Sequence, residues 1–273
     1  MTIHLEHGLL LVGAGKMGGA MLKGWLDQGL APGGVMVRDP APPTETAALL
    51  KSHGIEVSGD AGTGRQPSVI VLAVKPQIMD DVLPDLAQLA GPETLVLSIA
   101  AGRTVASILR HFPAGTALVR AMPNTPAAIG RGMMVAFANE TVSDVQRAIC
   151  DRLLGAVGKV AWVGEESALD GVTAVSGSGP AYVFYLAECL AEAGVAAGLD
   201  GDLAKLIARQ TVAGAGELLA RSDEAAATLR RNVTSPGGTT AAALEVLMAG
   251  DGLADLMTRA VAAAARRSRE LAE

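Results

Sequence analysis

Two glycine-bearing segments at opposite ends of the chain carry the residues whose types and spacing suit chemistry. Near the C-terminal end, Ser235-Pro236-Gly237-Gly238-Thr239-Thr240 runs straight into Ala241-Ala242-Ala243-Leu244-Glu245-Val246-Leu247, a helix-forming stretch. Adjacent glycines let the backbone come close to a ligand, and the N–H groups that open a helix have no partners within it, so a small carboxylate can take them. The hydroxyls of Ser235, Thr239 and Thr240 add further donors. The segment therefore suits a small acidic substrate. An ordinary capped helix start has the same composition, and the other end of the chain decides between the two.

That end reads Gly8-Leu9-Leu10-Leu11-Val12-Gly13-Ala14-Gly15-Lys16-Met17-Gly18-Gly19, an apolar strand running into G-x-G-x-x-G and then a helix-like segment. In a dinucleotide fingerprint the first glycine permits the tight turn, the second lets a pyrophosphate approach, and the third lets helix and strand pack closely. A second strand-like run, Val35-Met36-Val37, follows at the right distance and ends in Arg38 and Asp39. These two pull in opposite directions, because an acidic residue accepts from a free ribose 2′-hydroxyl while an arginine neutralises a 2′-phosphate. The reading leans to NADP through Arg38, with NADPH preferred and NADH also accepted. A solvated turn before Pro40 is the plainer alternative.

The chain has 273 residues, half of them hydrophobic, and a formal net charge of -6. That is material for one large or two medium domains. Its scattered cations leave no footprint for nucleic acid. The N-terminal apolar run breaks at Gly13 and has no basic segment before it, which argues against a signal peptide or a membrane span and for a cytoplasmic protein. Cys150 and Cys189 lack C-x-x-C spacing and read as reduced, buried thiols, and no pattern suggests a metal. The four histidines, His4, His7, His53 and His111, all lie outside the glycine-rich motifs. Reducing a ketone builds alkoxide-like charge and normally needs a placed acid such as His or Lys. An imine nitrogen is basic enough to arrive protonated, so a hydroxyl such as that of Thr240 suffices to orient it.

These segments must be held by a scaffold, and the middle of the chain supplies one. Val69 to Val74, Leu95 to Ile99, Ala117 to Arg120, Val135 to Ala138 and Lys159 to Val163 read as strands, with a helix over Val142 to Leu154. The apolar run from Val69 ends in Lys75-Pro76, and loops after the carboxyl ends of such strands bind ligands. The fold class is thus α/β, an N-terminal Rossmann-like doubly wound sheet over residues 1–164. Strand signals then stop, and residues 165–273 read as an all-helical C-terminal domain. Helices are expected over Ala181 to Ala197, Asp202 to Ala220, Ala241 to Ala249 and Gly252 to Leu271, with Pro180 near the start of the first. Their apolar positions outnumber what a lone small bundle buries, which points to a partner subunit and a homodimer.

Together, Gly13-Ala14-Gly15-Lys16-Met17-Gly18, Ala73-Val74-Lys75-Pro76, Met122-Pro123-Asn124-Thr125-Pro126, Ser176-Gly177-Ser178-Gly179-Pro180-Ala181-Tyr182 and Val233-Thr234-Ser235-Pro236-Gly237-Gly238-Thr239-Thr240 resemble pyrroline-5-carboxylate reductase from about residue 8 to about residue 271. The resemblance implies an enzyme that passes hydride from NAD(P)H to the imine carbon of 1-pyrroline-5-carboxylate, giving L-proline in the last step of proline biosynthesis. By motif position, Ser235 and the backbone of Gly238 to Thr240 would hold the substrate carboxylate, with the Thr240 hydroxyl facing the ring nitrogen. Ala73, Val74, Lys75, Pro76, Ala100, Ala101 and Gly102 would line the cofactor, with Glu166 near the nicotinamide. It also implies an intertwined helical dimer, larger rings such as a decamer, and a cleft completed by the second chain. Two departures stand out. The family often has an Asn in the turn around Gly59-Asp60-Ala61 and a Pro where Ala225-Ala226-Ala227 stands. A β-hydroxyacid dehydrogenase or other imine reductase shares the architecture, but it typically places a catalytic Lys where Val183 stands. A non-catalytic NADP-binding sensor is the alternative from another class.

Overall fold

The computed structural model describes residues 5–58 and 66–272. Eight strands form one sheet: β1 Leu9–Val12, β2 Val35–Arg38, β3 Val57–Ser58, β4 Val69–Leu72, β5 Leu95–Ser98, β6 Ala117–Met122, β7 Gly132–Ala138 and β8 Gly158–Trp162. Their spatial order is β3-β2-β1-β4-β5-β6-β7-β8. Neighbours run parallel except β6 and β7, which are antiparallel. The order reverses between β1 and β4, so their carboxyl ends flank the switch point at which sheets of this kind bind ligands.

Helices cover both faces, which is why the central strands are apolar at nearly every position rather than alternating. α1 Lys16–Asp27, α2 Thr44–Ser52 and α5 Asp144–Gly155 share a core with one face of the strands, where Met21, Leu22, Trp25, Leu50 and Leu153 meet Leu9, Leu11, Val35 and Val37. Met21, Leu22 and Trp25 recur at helical spacing, and the Trp25 indole donates to the Leu153 carbonyl at 2.7 Å. α3 Met79–Ala87 and α4 Val105–Leu109 cover the other face, with Met79, Leu83 and Leu86 packed beside Leu10, Val12, Ile70 and Leu72. Each fully buried side chain of this size contributes about 1.5–3 kcal/mol. Ser143 and Gln146 form a capping box that starts α5.

The chain divides into two compact units, Met1–Gly177 with Ala265–Glu273, and Ser178–Ala264. This differs from a boundary at residue 164. After β8, α6 Ala168–Val172 and a π-helical turn, Thr173–Gly177, still belong to the sheet unit. Leu169 and Ala174 are fully buried there, and the Asn124 side chain donates to the Ser176 carbonyl at 3.3 Å. The end of the last helix also returns to that unit, where the Ser268 hydroxyl donates to Asp170 at 2.7 Å.

The second unit is helical: α7 Gly179–Ala196, α8 Gly201–Arg221, α9 Ala226–Asn232, α10 Thr239–Leu247 and most of α11 Leu253–Ala272. α7 and α8 form a hairpin turned by Gly198 at φ +97° and capped by Asp200, whose carboxylate accepts from the Asp202 and Leu203 amides. Close packing of Gly194 on Ala204 joins the pair. Much of the apolar surface stays uncovered, including Phe184, Tyr185, Leu206 and Val246, each 63–73% exposed. Cys150 is buried in the sheet unit, but Cys189 on α7 is only half-buried, a correction to the expectation of two buried thiols. No helix of the described residues is long and apolar enough to cross a membrane.

Candidate active site

The glycine loop after β1 has a separate task for each of its glycines. Gly13 sits at φ +92°, and a Cβ there would lie 2.7 Å from the Ala73 carbonyl oxygen. A Cβ on Gly18 would collide with the Gly13 carbonyl, so this position lets α1 lie close to β1. Gly15 caps α1 with no atom in the way of a side chain, and its open side leaves the first amides of α1 accessible to an anion. Ala14 is buried, Met17 half-buried and Lys16 exposed at the first position of the helix. A cradle of this shape fits the pyrophosphate of a dinucleotide.

The end of β2 braces the loop from the side. Asp39 accepts from the Ala14 amide at 2.6 Å and from the Ala41 amide at 2.9 Å, and the Gly13 amide donates to the Arg38 carbonyl. The Arg38 guanidinium points elsewhere. It pairs with Asp85 of α3 at 2.9 Å, its side chain is 13% exposed, and its Nη1 is buried without a partner. The cation expected to meet a 2′-phosphate is therefore already committed to a carboxylate.

Ala73, Val74, Lys75 and Pro76 leave the end of β4 beside the switch point, and Pro76 opens a 3-10 turn that leads into α3. Ala100, Ala101 and Gly102 leave the end of β5, with Gly102 at φ +69°. An ion cluster spans the elements that follow the two loops. Asp80 of α3 receives both terminal nitrogens of Arg103, at 2.8 and 2.5 Å, and His111 and Arg110 approach the same carboxylate at 3.1 and 3.5 Å. The Arg103 hydrogen bonds hold the Asp80 carboxyl well below the usual carboxylate range.

Glu166 was expected beside the nicotinamide, and its carboxylate has other partners. Its Oε1 accepts from the Val105 amide and from Arg120, both at 2.8 Å, and the Arg120 side chain is only 6% exposed. Glu166 thus anchors the start of α4, downstream of the β5 loop, through its contacts with Val105 and Arg120.

The proposed carboxylate site lies in the second unit. Gly237 is left-handed at φ +68°, the Gly238 amide closes a turn onto the Ser235 carbonyl at 3.0 Å, and Gly238 caps α10. The first bond within the helix runs from the Ala242 amide to the Gly238 carbonyl, which leaves the amides of Thr239, Thr240 and Ala241 without partners inside the helix. Ser235, Gly237 and Thr239 are exposed, and Gly238 and Thr240 half-buried. This unit contains no histidine, and its single lysine, Lys205, lies 3.7 Å from Asp202 at the start of α8. Where Ala225-Ala226-Ala227 stands in place of the expected proline, Ala225 caps α9 and Ala226 takes its first position, a place that proline favours. The missing Asn around residues 59–61 lies outside the described residues.

Asn124 is a residue whose role the sequence reading did not find. Its amide donates to the Ser176 carbonyl and hydroxyl while its oxygen accepts from the Met133 amide at 2.9 Å, joining two of the conspicuous motifs within the sheet unit. Only co-occurrence of those motifs could have suggested it.

Comparison with known proteins finds relatives over both units. A family model described as pyrroline-5-carboxylate reductase dimerisation matches residues 166–271, and one described as NADP oxidoreductase coenzyme F420-dependent matches residues 8–102. The pyrroline-5-carboxylate reductases of Synechocystis and Pseudomonas aeruginosa are 42% and 39% identical to it, covering 96% and 97% of this chain and 97% of each of theirs. Among solved structures, the Coxiella burnetii pyrroline-5-carboxylate reductase superposes with a TM-score of 0.90 at 34% identity, over 98% of this chain and 99% of that one. The Plasmodium falciparum pyrroline carboxylate reductase with NADP bound superposes at 0.82 and 28% identity, with the same coverage. Full-length identity well above a third, joined to a glycine cradle and a hydroxyl-bearing helix start, places the chain in the pyrroline-5-carboxylate reductase family.

Proposed function

We propose that this chain reduces 1-pyrroline-5-carboxylate to L-proline with hydride from NAD(P)H. The observation that carries the reading is the α10 start, which offers amides and two hydroxyls to one small anion in a unit with no histidine. When bound between the loops after β1, β4 and β5, the reduced nicotinamide supplies the hydride. The Thr239 and Thr240 amides and the Ser235 hydroxyl hold the substrate carboxylate. The Thr240 hydroxyl accompanies the ring nitrogen, which enters protonated and keeps its proton as the C=N electron pair collapses onto it. No general acid is needed, since the imine has taken its proton from solvent before hydride arrives. The test is steady-state oxidation of NADPH by the purified chain with 1-pyrroline-5-carboxylate. Proline is expected to form in proportion to the cofactor oxidised, and cofactor consumption without proline would sink the reading.

Support for assembly comes from the exposed apolar side chains of α7, α8 and α10 and from the matched dimerisation family. On this reading the working form is a homodimer, the unit from which rings such as a decamer are built. Free Cys150 and Cys189 suit a reducing, cytoplasmic setting.

NADPH is the proposed first choice of donor, with Arg38 meeting the 2′-phosphate by exchanging Asp85 for it. The exchange reduces the net gain below that of an uncommitted charge-assisted contact. Asp85→Ala releases the guanidinium and is expected to improve KM for NADPH by roughly 1 kcal/mol while leaving NADH nearly unchanged. Parallel steady-state series with the two cofactors measure this. Equal shifts for both would remove Arg38 from 2′-phosphate recognition.

A further inference from the structure

The Asp80 and Arg103 pair joins two segments that the sequence places 23 residues apart. Arg103 immediately follows Gly102, the last residue of the β5 loop, and Asp80 is the second residue of α3, just after the β4 loop and its 3-10 turn. Both terminal nitrogens of the guanidinium meet both carboxylate oxygens, a fork that fixes orientation as well as distance. The Arg103 side chain is 14% exposed, and its Nε is buried without a partner. The two residues that follow Arg103 at this end of the β5 loop are fixed too, by the Thr104 hydroxyl capping α4 and by Glu166 on the Val105 amide. A loop that leaves β5 within the sheet and is secured at its exit in this way, with Ala101 exposed at its tip, has the form of a preorganised wall.

We propose that Asp80 and Arg103 are positioning residues that hold the β4 and β5 loops at the spacing the dinucleotide requires, so that breaking the fork weakens cofactor binding without touching the imine site. The proposal rests on the dinucleotide reading of those loops. It is tested on the full chain by titrating NADPH in the absence of imine, followed by protein fluorescence, and by separate KM values for NADPH and for 1-pyrroline-5-carboxylate. Arg103→Ala and Asp80→Ala are each expected to weaken NADPH binding about tenfold or more, with KM for the imine at saturating NADPH within about twofold of wild type. The double variant is expected to bind no more weakly than Asp80→Ala, because that change already removes the fork together with the Arg110 and His111 contacts. Arg103→Lys, which keeps the charge but loses the fork, is expected to fall with the alanine variants, and it serves as the test if Arg103→Ala does not fold. Wild-type affinity in the single variants, additive losses in the double, or equal damage to both KM values would overturn the clamp alone. A wild-type chain that binds no NADPH would overturn both the clamp and the reading beneath it.

Discussion

Thr240→Ala is expected to lower kcat/KM for the imine by about 10- to 1000-fold while cofactor affinity stays close to wild type. Thr240 is the second residue of α10, half-buried, in a unit with no histidine and a single lysine held near Asp202. Nothing among those residue types stands ready to replace the hydroxyl. A hydrogen bond made where charge changes during reaction is worth about 1.5–4 kcal/mol, which gives the stated range. Thr240→Ser keeps the oxygen and is expected to recover most of the loss. The measurement is kcat and KM for both substrates from pH 6 to 9, in roughly unit steps around the usual range for iminium and histidine chemistry. Unchanged turnover in Thr240→Ala would reduce the residue to a helix position with no chemical part.

The second large effect is expected at the uncovered helical surface. Phe184→Asp with Leu206→Asp should give monomers without measurable turnover, while NADPH binding to the sheet unit is retained. Those side chains are 63% and 65% exposed on α7 and α8. An interface that buries them gains about 1.5–3 kcal/mol from each, and a twofold axis doubles every loss. Placing carboxylates there adds the cost of burying charge. Sedimentation velocity and activity on the same sample decide the matter. A wild-type chain that sediments as an active monomer would end the dimer reading.

The parts of the fold that the sequence disclosed are those with a strong repeating signal. β1, β4 and β5 are apolar at nearly every position because helices cover them on both sides, and α7, α8, α10 and α11 lie within two residues of the helices expected from composition. β3 escaped because a two-residue strand, Val57–Ser58, has no period to read. α6 and α9 are too short to declare themselves, and the compact sheet unit runs on through α6 and the π-helical turn to 177, past the boundary read at 164. Of the site, the backbone roles of Gly13 and Gly18 were legible because each depends on a missing Cβ. Side-chain partnerships were not. Arg38 lies next to Asp39 in sequence but pairs with Asp85, and Glu166 reaches Arg120, pairs that only the tertiary packing brings together.

The return of residues 265–272 to the sheet unit bears on how the protein is made. Ser268 bonds Asp170 across 98 positions, and Leu271 packs against Gly102 of the β5 loop. During synthesis the sheet can form early from its own strands, but these last contacts must wait until the helical unit has been translated and Ser268 has left the ribosome. A nascent chain stalled before that point presents the wall of its own dinucleotide loop unfinished, so dinucleotide affinity measured on ribosome-bound chains of increasing length should rise in two steps rather than one.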